Sequence, residues 1–219
     1  MFDNKARRRS AARDAGSMLA FVGFIVAAWS AVGPISASAA DVSETLQFCS
    51  SCHGPDGRSA SSKFPRLAGQ HKEYIIAQLQ DFRSDTRTAP HAQNYLDYLT
   101  MWGLVAHLND PSIDAIAAFY ASQTPVAGEP AASPEIAAGR RLYTEGVPSE
   151  SVPACISCHG PRAEGNGPVP RLAGQYEDYL ARQLGAFASW ARQNITMHAE
   201  SMNLTPEQIS EVTAYLATL

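Results

Sequence analysis

The sequence predicts an all-α protein made of two tandem copies of one small helical bundle. Three observations support this prediction: a cysteine motif that occurs twice, a heptapeptide that recurs about a hundred residues later, and apolar residues spaced as on one face of a helix. No segment shows the alternation of apolar and polar residues that is typical of a β-strand. The repeat is much longer than a solenoid unit, and it therefore indicates a duplicated domain.

The repeated heptapeptide occupies residues 64–70 and 169–175, and six of its seven positions are identical. The residues that follow also correspond, with Tyr, Gln, Leu and Phe spaced i, i+4, i+5 and i+8 in both halves. This spacing places the four side chains on one face of a helix. The two sets are Tyr74, Gln78, Leu79 and Phe82 in the first half, and Tyr179, Gln183, Leu184 and Phe187 in the second.

Helical periodicity predicts three helices in each half, over residues 42–48, 72–82 and 112–121 and over residues 135–143, 177–187 and 207–217. The closing helix of each half has a start signal. In the first half, we expect Asp110 to be the N-cap, with Pro111 at the first helical position. In the second half, Thr205 is the expected N-cap and Gln208 completes a capping box.

The N-terminal residues 1–40 are predicted to be a signal peptide that is cleaved after Ala40. A basic segment precedes the apolar run 18–29, and small residues follow it. The alternative is an uncleaved membrane anchor, but the apolar run is shorter than the ~20 residues that a spanning helix needs. The expected organisation is then a first domain at 41–124, a Pro- and Ala-rich linker at 125–134, and a second domain at 135–219.

Charge argues against a role with nucleic acids. The residues after position 40 contain 12 basic and 19 acidic side chains, which give a net charge of −7. A nucleic-acid-binding domain would need a basic surface. The negative charge keeps the protein soluble and could also favour docking to a basic patch on a partner.

The cysteine motif is C-x-x-C-H, which begins at Cys49 and again at Cys155. This is the attachment signature of c-type haem, because two thiols add to the haem vinyl groups and the histidine then lies under the iron. Two disulfides or a zinc site are the alternatives, but neither explains a histidine directly after both second cysteines. We therefore predict two covalent haem c groups, bound by Cys49, Cys52, Cys155 and Cys158, with His53 and His159 as iron ligands.

Two methionines are the candidates for the sixth iron ligand. Met101 and Met197 each lie seven residues before a leucine that precedes the closing helix. A lone methionine usually fills space in a core, but here the same position is methionine in both halves. His/Met ligation would close both sites to small molecules, raise the reduction potential and suit electron transfer. The unmatched His71, His91, His107, His198 and Met202 are expected to be surface or structural residues.

These features resemble the cytochrome c4 family, the dihaem class I c-type cytochromes of bacteria. The resemblance covers essentially all of the chain after the signal peptide. It implies two cytochrome c folds that face each other, and an electron carrier in the periplasm. It also implies that Pro65 and Pro170 provide the carbonyls that hold the proximal imidazoles. Arg66 and Arg171 are candidates for pairing with haem propionates, although both could equally be solvated arginines.

The halves differ around the first methionine, where residues 89–98 are an insertion, and before Cys155, where residues 146–153 are added. The two sites should therefore differ in potential.

Three functions compete. The first is a carrier of single electrons between respiratory-chain components, from a quinol-cytochrome c reductase-like donor to a terminal oxidase-like acceptor. This carrier would not be an enzyme, would have no small-molecule substrate, and could associate with membrane complexes.

The second function is a dihaem subunit of a dehydrogenase complex, as in flavocytochrome c sulfide dehydrogenase. Such a subunit would need an apolar patch for its partner, for which the insertion at residues 89–98 is the candidate. The third, a dihaem peroxidase, would need one open iron and is not expected.

Overall fold

The structure is a computed structural model that describes residues 39–84 and 95–219 and, among their side chains, those of residues 42–84 and 100–219. The predicted signal peptide lies almost entirely outside the described residues. So do residues 89–94 of the predicted insertion and the side chains of its remaining residues. The described residues form a single compact unit.

The described residues are mostly helical. In chain order the α-helices are α1 (Ala39–His53), α2 (Lys72–Arg83), α3 (Tyr95–Val105), α4 (Asp110–Ala121), α5 (Pro134–Glu145), α6 (Ile156–His159), α7 (Glu177–Ala188), α8 (Ile195–Ser201) and α9 (Pro206–Ala217). A single 3-10 turn covers Pro148–Glu150. In the described ranges there is no β-strand, and only two isolated bridges pair backbone segments. This confirms the predicted fold class.

The first half packs α2 and α1 against α4, with α3 against α2. Its core consists of seven buried residues, Ile75, Leu79, Val105, Ile113, Ile116, Ala117 and Tyr120. Four of them lie on α4, which covers the predicted helix 112–121, at spacings of three and four residues. The helical periodicity of this segment therefore corresponds to the face that the first domain buries.

The second half packs α9 against both α5 and α7, and α8 against α7. Its core is a separate cluster, which includes Leu142, Tyr143, Val152, Leu180 and Val212. At the crossing of α5 and α9, a Cβ atom at Gly139 would lie 1.8 Å from the carbonyl oxygen of Glu211. Glycine is therefore what allows these two helices to approach so closely. Each half thus has a core of its own.

The predicted N-caps of the two closing helices differ in outcome. The capping box of α9 is confirmed, since Thr205 Oγ1 accepts from Gln208 N while Gln208 Oε1 accepts from Thr205 N. The predicted N-cap Asp110 is wrong. The cap of α4 is Asn109, whose Oδ1 accepts a hydrogen bond from Ser112 N at 2.9 Å. Asp110 instead lies in the first turn and forms an ion pair with Arg83 at 2.7 Å.

The sequence analysis did not predict α3 or α8, the helices that carry the two candidate methionines. The sequence of α3 is largely apolar, but its apolar residues show no clear helical periodicity. The helix α8 has only seven residues. Such segments are helical because of their tertiary packing more than because of their pattern.

A reciprocal set of hydrogen bonds joins the two halves. Gln70 accepts from Arg171 N and donates to Arg171 O, both at 2.9 Å. Gln175 accepts from Arg66 N at 3.0 Å and donates to Arg66 O at 2.9 Å. These four residues are corresponding positions of the repeated heptapeptide. The repeat therefore builds a self-complementary interface, in the manner of a two-fold homodimer.

The linker packs onto both halves. Pro125 lies against Gly69 of the first half, and Val126 lies against Gly174 of the second. Gly128 N donates to the carbonyl oxygen of Leu219 at 2.7 Å. The linker is therefore held against both domains.

Within the described part of the chain, no helix is both long enough and apolar enough to cross a membrane.

Candidate functional site

Described residues of both halves line a large cavity of about 920 Å³. Apolar side chains make up most of its wall, as is typical of a cofactor site. The wall contains every site residue that the sequence predicted, namely Cys49, Cys52, His53, Pro65, Arg66, Met101, Cys155, Cys158, His159, Pro170, Arg171 and Met197. The structure thus brings the two motifs, more than a hundred residues apart, to one cavity.

The first histidine is held by a backbone carbonyl. His53 is the last residue of α1, and the chain turns away at Gly54, which has a φ of 82° that favours glycine. His53 Nδ1 lies 2.9 Å from the carbonyl oxygen of Pro65. A carbonyl only accepts, so Nδ1 must carry the hydrogen, and Nε2 is left with a free lone pair. That lone pair is what a metal needs.

The second histidine has the same arrangement. His159 ends α6, Gly160 follows with a φ of 81°, and His159 Nδ1 lies 3.1 Å from the carbonyl oxygen of Pro170. Burial lowers the pKa of both histidines, although the Pro65 and Pro170 carbonyls partly oppose this effect. Both imidazoles are therefore held neutral, which is the form that binds a metal.

In the described part of the chain, no two of the four cysteines are joined to each other. Cys49 lies within α1, and Cys155 directly precedes α6. Desolvation by burial raises the pKa of Cys49, and it raises the pKa of Cys155 to about 11. The first cysteine of each motif therefore lies in a poorly solvated position.

The two alternatives to haem receive no support in the described part of the chain. No disulfide joins the cysteines there, and no cluster of three or more His, Cys, Asp or Glu side chains could hold a zinc ion. A cavity of this size and apolar character fits a large flat cofactor instead.

The two methionines reach the cavity from corresponding helices. Met101 lies in α3 and packs on the first core, while Met197 lies in α8. Asn194 caps α8 by accepting from Met197 N at 2.9 Å, which fixes the backbone at that methionine. Met202 does not line the cavity and is 55% exposed, as expected for a residue without a counterpart in the first half.

The two candidate arginines differ in their surroundings. Arg66 donates from Nη1 to the carbonyl oxygen of Gly174, and its guanidinium lies 4.0 Å above the Tyr176 ring. Arg171 keeps its Nε buried without a hydrogen-bond partner among the described residues. Desolvation by burial also lowers the pKa of Arg171. An orphaned buried donor on the cavity wall fits a carboxylate such as a haem propionate.

Two residues connect the halves at positions that the sequence analysis did not place at the interface. His71 was expected to be a surface or structural residue, and it has a structural role, because its Nε2 lies 2.8 Å from Glu164 O across the interface. Arg192 was not singled out, yet it is only 8% exposed and contacts side chains of both halves. The sequence could have indicated Arg192, because aligning the two halves of the repeat places it opposite another arginine, Arg87.

Comparison with known proteins also supports two haem-binding domains in this chain. The family model described as cytochrome c matches residues 39–124 and again residues 136–219. Cytochrome c4 of Azotobacter vinelandii is 37% identical over 178 residues, which cover 78% of this chain and 84% of that protein.

Two further relatives extend the comparison. The structure of Acidithiobacillus ferrooxidans cytochrome c4 superposes with a TM-score of 0.72 at 36% identity, covering 79% of this chain and 99% of that one. The thiosulfate dehydrogenase electron acceptor of Thiomonas intermedia is 32% identical over 199 residues, or 87% of this chain and 82% of that protein.

The fold and the site define a class of protein, in which two tandem cytochrome c domains each carry one covalently bound haem c group. The chain belongs to the cytochrome c family, and within it to the dihaem cytochromes c4. It is accordingly a cytochrome c4-like dihaem electron carrier, with redox proteins as its partners.

Proposed function

We propose that this protein carries single electrons in the periplasm, from a respiratory donor such as a quinol-cytochrome c reductase towards a terminal oxidase or another acceptor. In this proposal Cys49, Cys52, Cys155 and Cys158 hold the two haems, His53 and Met101 ligate the first iron, and His159 and Met197 ligate the second. The domains correspond to residues 41–124 and 135–219, joined by the linker 125–134.

The observation that supports the proposal is that both histidines and both candidate methionines line the same cavity, with each methionine on a helix of the half that contains its histidine. Bound haem supplies a one-electron iron couple at each site. The carbonyls of Pro65 and Pro170 orient the imidazoles, and each methionine contributes a soft sulfur that favours the reduced metal. Two protein ligands leave no open position for oxygen or peroxide, so the site suits electron transfer without bond-making.

The ligand assignment is tested by replacing each methionine. Met101→Ala and Met197→Ala should each remove about half of the methionine-to-iron charge-transfer absorption of the oxidised protein and lower one of the two reduction potentials. The altered site should also bind carbon monoxide or cyanide readily.

Met202→Ala is the matched control, because Met202 is exposed and does not line the cavity. It should retain the full two-haem absorption. A Met101→Ala protein with undiminished absorption would overturn the first distal assignment.

A second candidate function is electron acceptance from one dedicated dehydrogenase. It is favoured by the similarity to the thiosulfate dehydrogenase electron acceptor, which spans 87% of this chain. The dihaem subunit of a flavocytochrome c sulfide dehydrogenase would be a related case. Both functions use the same two redox centres and differ only in the electron donor.

Purification of the protein from its native compartment, followed by electron-transfer kinetics, distinguishes the two candidate functions. A free monodisperse protein that is reduced by quinol-cytochrome c reductase and oxidised rapidly by oxidase turnover supports the respiratory carrier. Co-purification with a dehydrogenase at fixed stoichiometry, together with reduction only in the presence of that enzyme's substrate, would support the second candidate instead. Intact mass of the same preparation gives the haem count and tests cleavage after Ala40.

A further inference from the structure

Arg192 is a buried positive charge at the contact between the two halves. The residue is only 8% exposed and forms part of the wall of the shared cavity. An arginine side chain stays protonated at any ordinary pH, so this is a permanent charge in a water-poor place.

The hydrogen bonds of Arg192 reach both halves. Nη1 donates to Gln183 Oε1 in α7 at 2.6 Å. Nη2 donates to Tyr74 Oη at 2.8 Å and to Gln78 Oε1, both in α2 of the first half. One guanidinium therefore ties α2 to α7 across the interface.

Among the described residues, the side chains that accept hydrogen bonds from Arg192 are all neutral. Its guanidinium also lies 4.4 Å above the ring of Phe187. No carboxylate of the described residues lies within ion-pair distance of Arg192. Asp81 accepts from Gln78 Nε2 at 3.2 Å and interacts with Arg192 electrostatically from beyond that distance. Within the described part of the chain, the charge of Arg192 is therefore satisfied by hydrogen bonds and is opposed only from a distance, by Asp81.

We propose that Arg192 sets the potential of the redox centres. From the wall of the cavity that both halves share, its permanent positive charge favours the reduced form of each iron, while its hydrogen bonds hold the two domains together. The proposal rests on the proposed function, because it requires redox centres in this cavity. Arg192 acts through the electric field and through position, and it is not itself an electron carrier.

The physical reason is the sign of the charge change. Each iron loses one positive charge when it takes up an electron, so a nearby fixed positive charge makes reduction more favourable. In a poorly solvated site a unit charge changes such an equilibrium by roughly a factor of ten. For a one-electron couple, tenfold corresponds to about 59 mV.

The test is a spectroelectrochemical titration of the holoprotein and three variants. Arg192→Gln should lower both potentials, with about a tenfold fall in the reduction equilibrium constant of the more affected centre. Arg192→Lys keeps the charge and should keep the potentials near those of the parent protein. Arg58→Gln is the matched control, because it removes the same charge from an exposed residue paired with Asp56 outside the cavity wall.

Two outcomes would overturn the proposal. One is a shift in Arg192→Gln no larger than that in Arg58→Gln. The other is an equal fall in Arg192→Gln and Arg192→Lys, because packing and not charge would then set the potentials.

A further pair of variants covers the case in which Arg192→Gln fails to fold. Gln78→Glu places a negative charge beside the intact guanidinium, and it should also lower both potentials. Gln123→Glu adds the same charge just after α4, where the Gln123 side chain donates to Phe119 O and Ser122 Oγ, and this variant should leave both potentials unchanged. Unchanged potentials in Gln78→Glu would contradict the proposal. Failure of the parent protein to show two one-electron centres would instead refute the proposed function.

Discussion

One backbone carbonyl at each proximal histidine determines which imidazole nitrogen is available to a metal. Pro65 O and Pro170 O each take the Nδ1 hydrogen, and both rings are almost fully buried. Proline is suited to this position because it lacks an N–H and has a restricted φ, so its carbonyl keeps a steady orientation. A single hydrogen-bond acceptor thereby fixes the tautomer and the direction of the ring.

Single acceptors also determine where helices begin, and α4 offers a test. Asn109→Ala should lower the free energy of unfolding by about 1 kcal/mol, because it removes the acceptor of Ser112 N. Asp110→Ala should cost less, at most about 0.5 kcal/mol, because it removes only an exposed ion pair with Arg83. Urea unfolding of the two variants measures both values. An Asp110→Ala variant that is the less stable of the two would restore Asp110 as the cap.

At the level of helices, α5 and α9 make the most extensive helix contact among the described residues of the second domain. The contact depends on Gly139, because any side chain there would overlap the backbone of Glu211. Neither helix reveals this contact by its own pattern, since Gly139 could equally be an unfavourable glycine in an amphipathic helix. The apolar stripes of α4 and α9, by contrast, were visible in the sequence because burial on one side imposes helical spacing.

Two glycine substitutions test this helix crossing. Gly139→Ala should lower the free energy of unfolding by about 3 kcal/mol, because the added Cβ overlaps backbone that cannot move away. Gly185→Ala is the matched control, since Gly185 also lies in a helix but a Cβ there would meet nothing within 4 Å. It should raise stability by about 0.5–1 kcal/mol through helix propensity. Thermal unfolding followed at the haem absorption and by circular dichroism distinguishes the two, and equal effects would contradict the crossing.

At the level of the whole molecule, the interface reuses the repeated heptapeptide. Gln70 and Gln175 each bridge to the backbone of an arginine in the opposite half, so the duplicated sequence recognises its own copy. The His71 bond to Glu164 O and the donation of Tyr176 Oη to Ser59 O, at 2.6 Å, add to these contacts. The two cores remain separate, so hydrogen bonds carry much of the connection between domains.

This interface predicts how the domains unfold. The parent protein should unfold in one calorimetric transition, because the docked domains stabilise each other. Gln70→Ala and Gln175→Ala should each cost about 1–3 kcal/mol, since each leaves buried backbone groups without partners. The double variant should show two separate transitions.

Gln123→Ala is the control for this test, because its contacts stay at the end of α4. It should leave the single transition unchanged. A single, cooperative transition in the double variant would show that other contacts hold the domains together.

The sequence by itself determined the duplication, the all-α fold class, the two haem groups and the family. The motifs that indicate these features each lie within a short segment of the chain. Covalent chemistry at C-x-x-C-H requires adjacent residues, and helical stripes repeat every few residues. Only the tertiary structure decided the roles of Asn109, Gly139, His71 and Arg192. Each of these roles depends on what a distant segment places beside the residue, and local spacing carries no information about that neighbour.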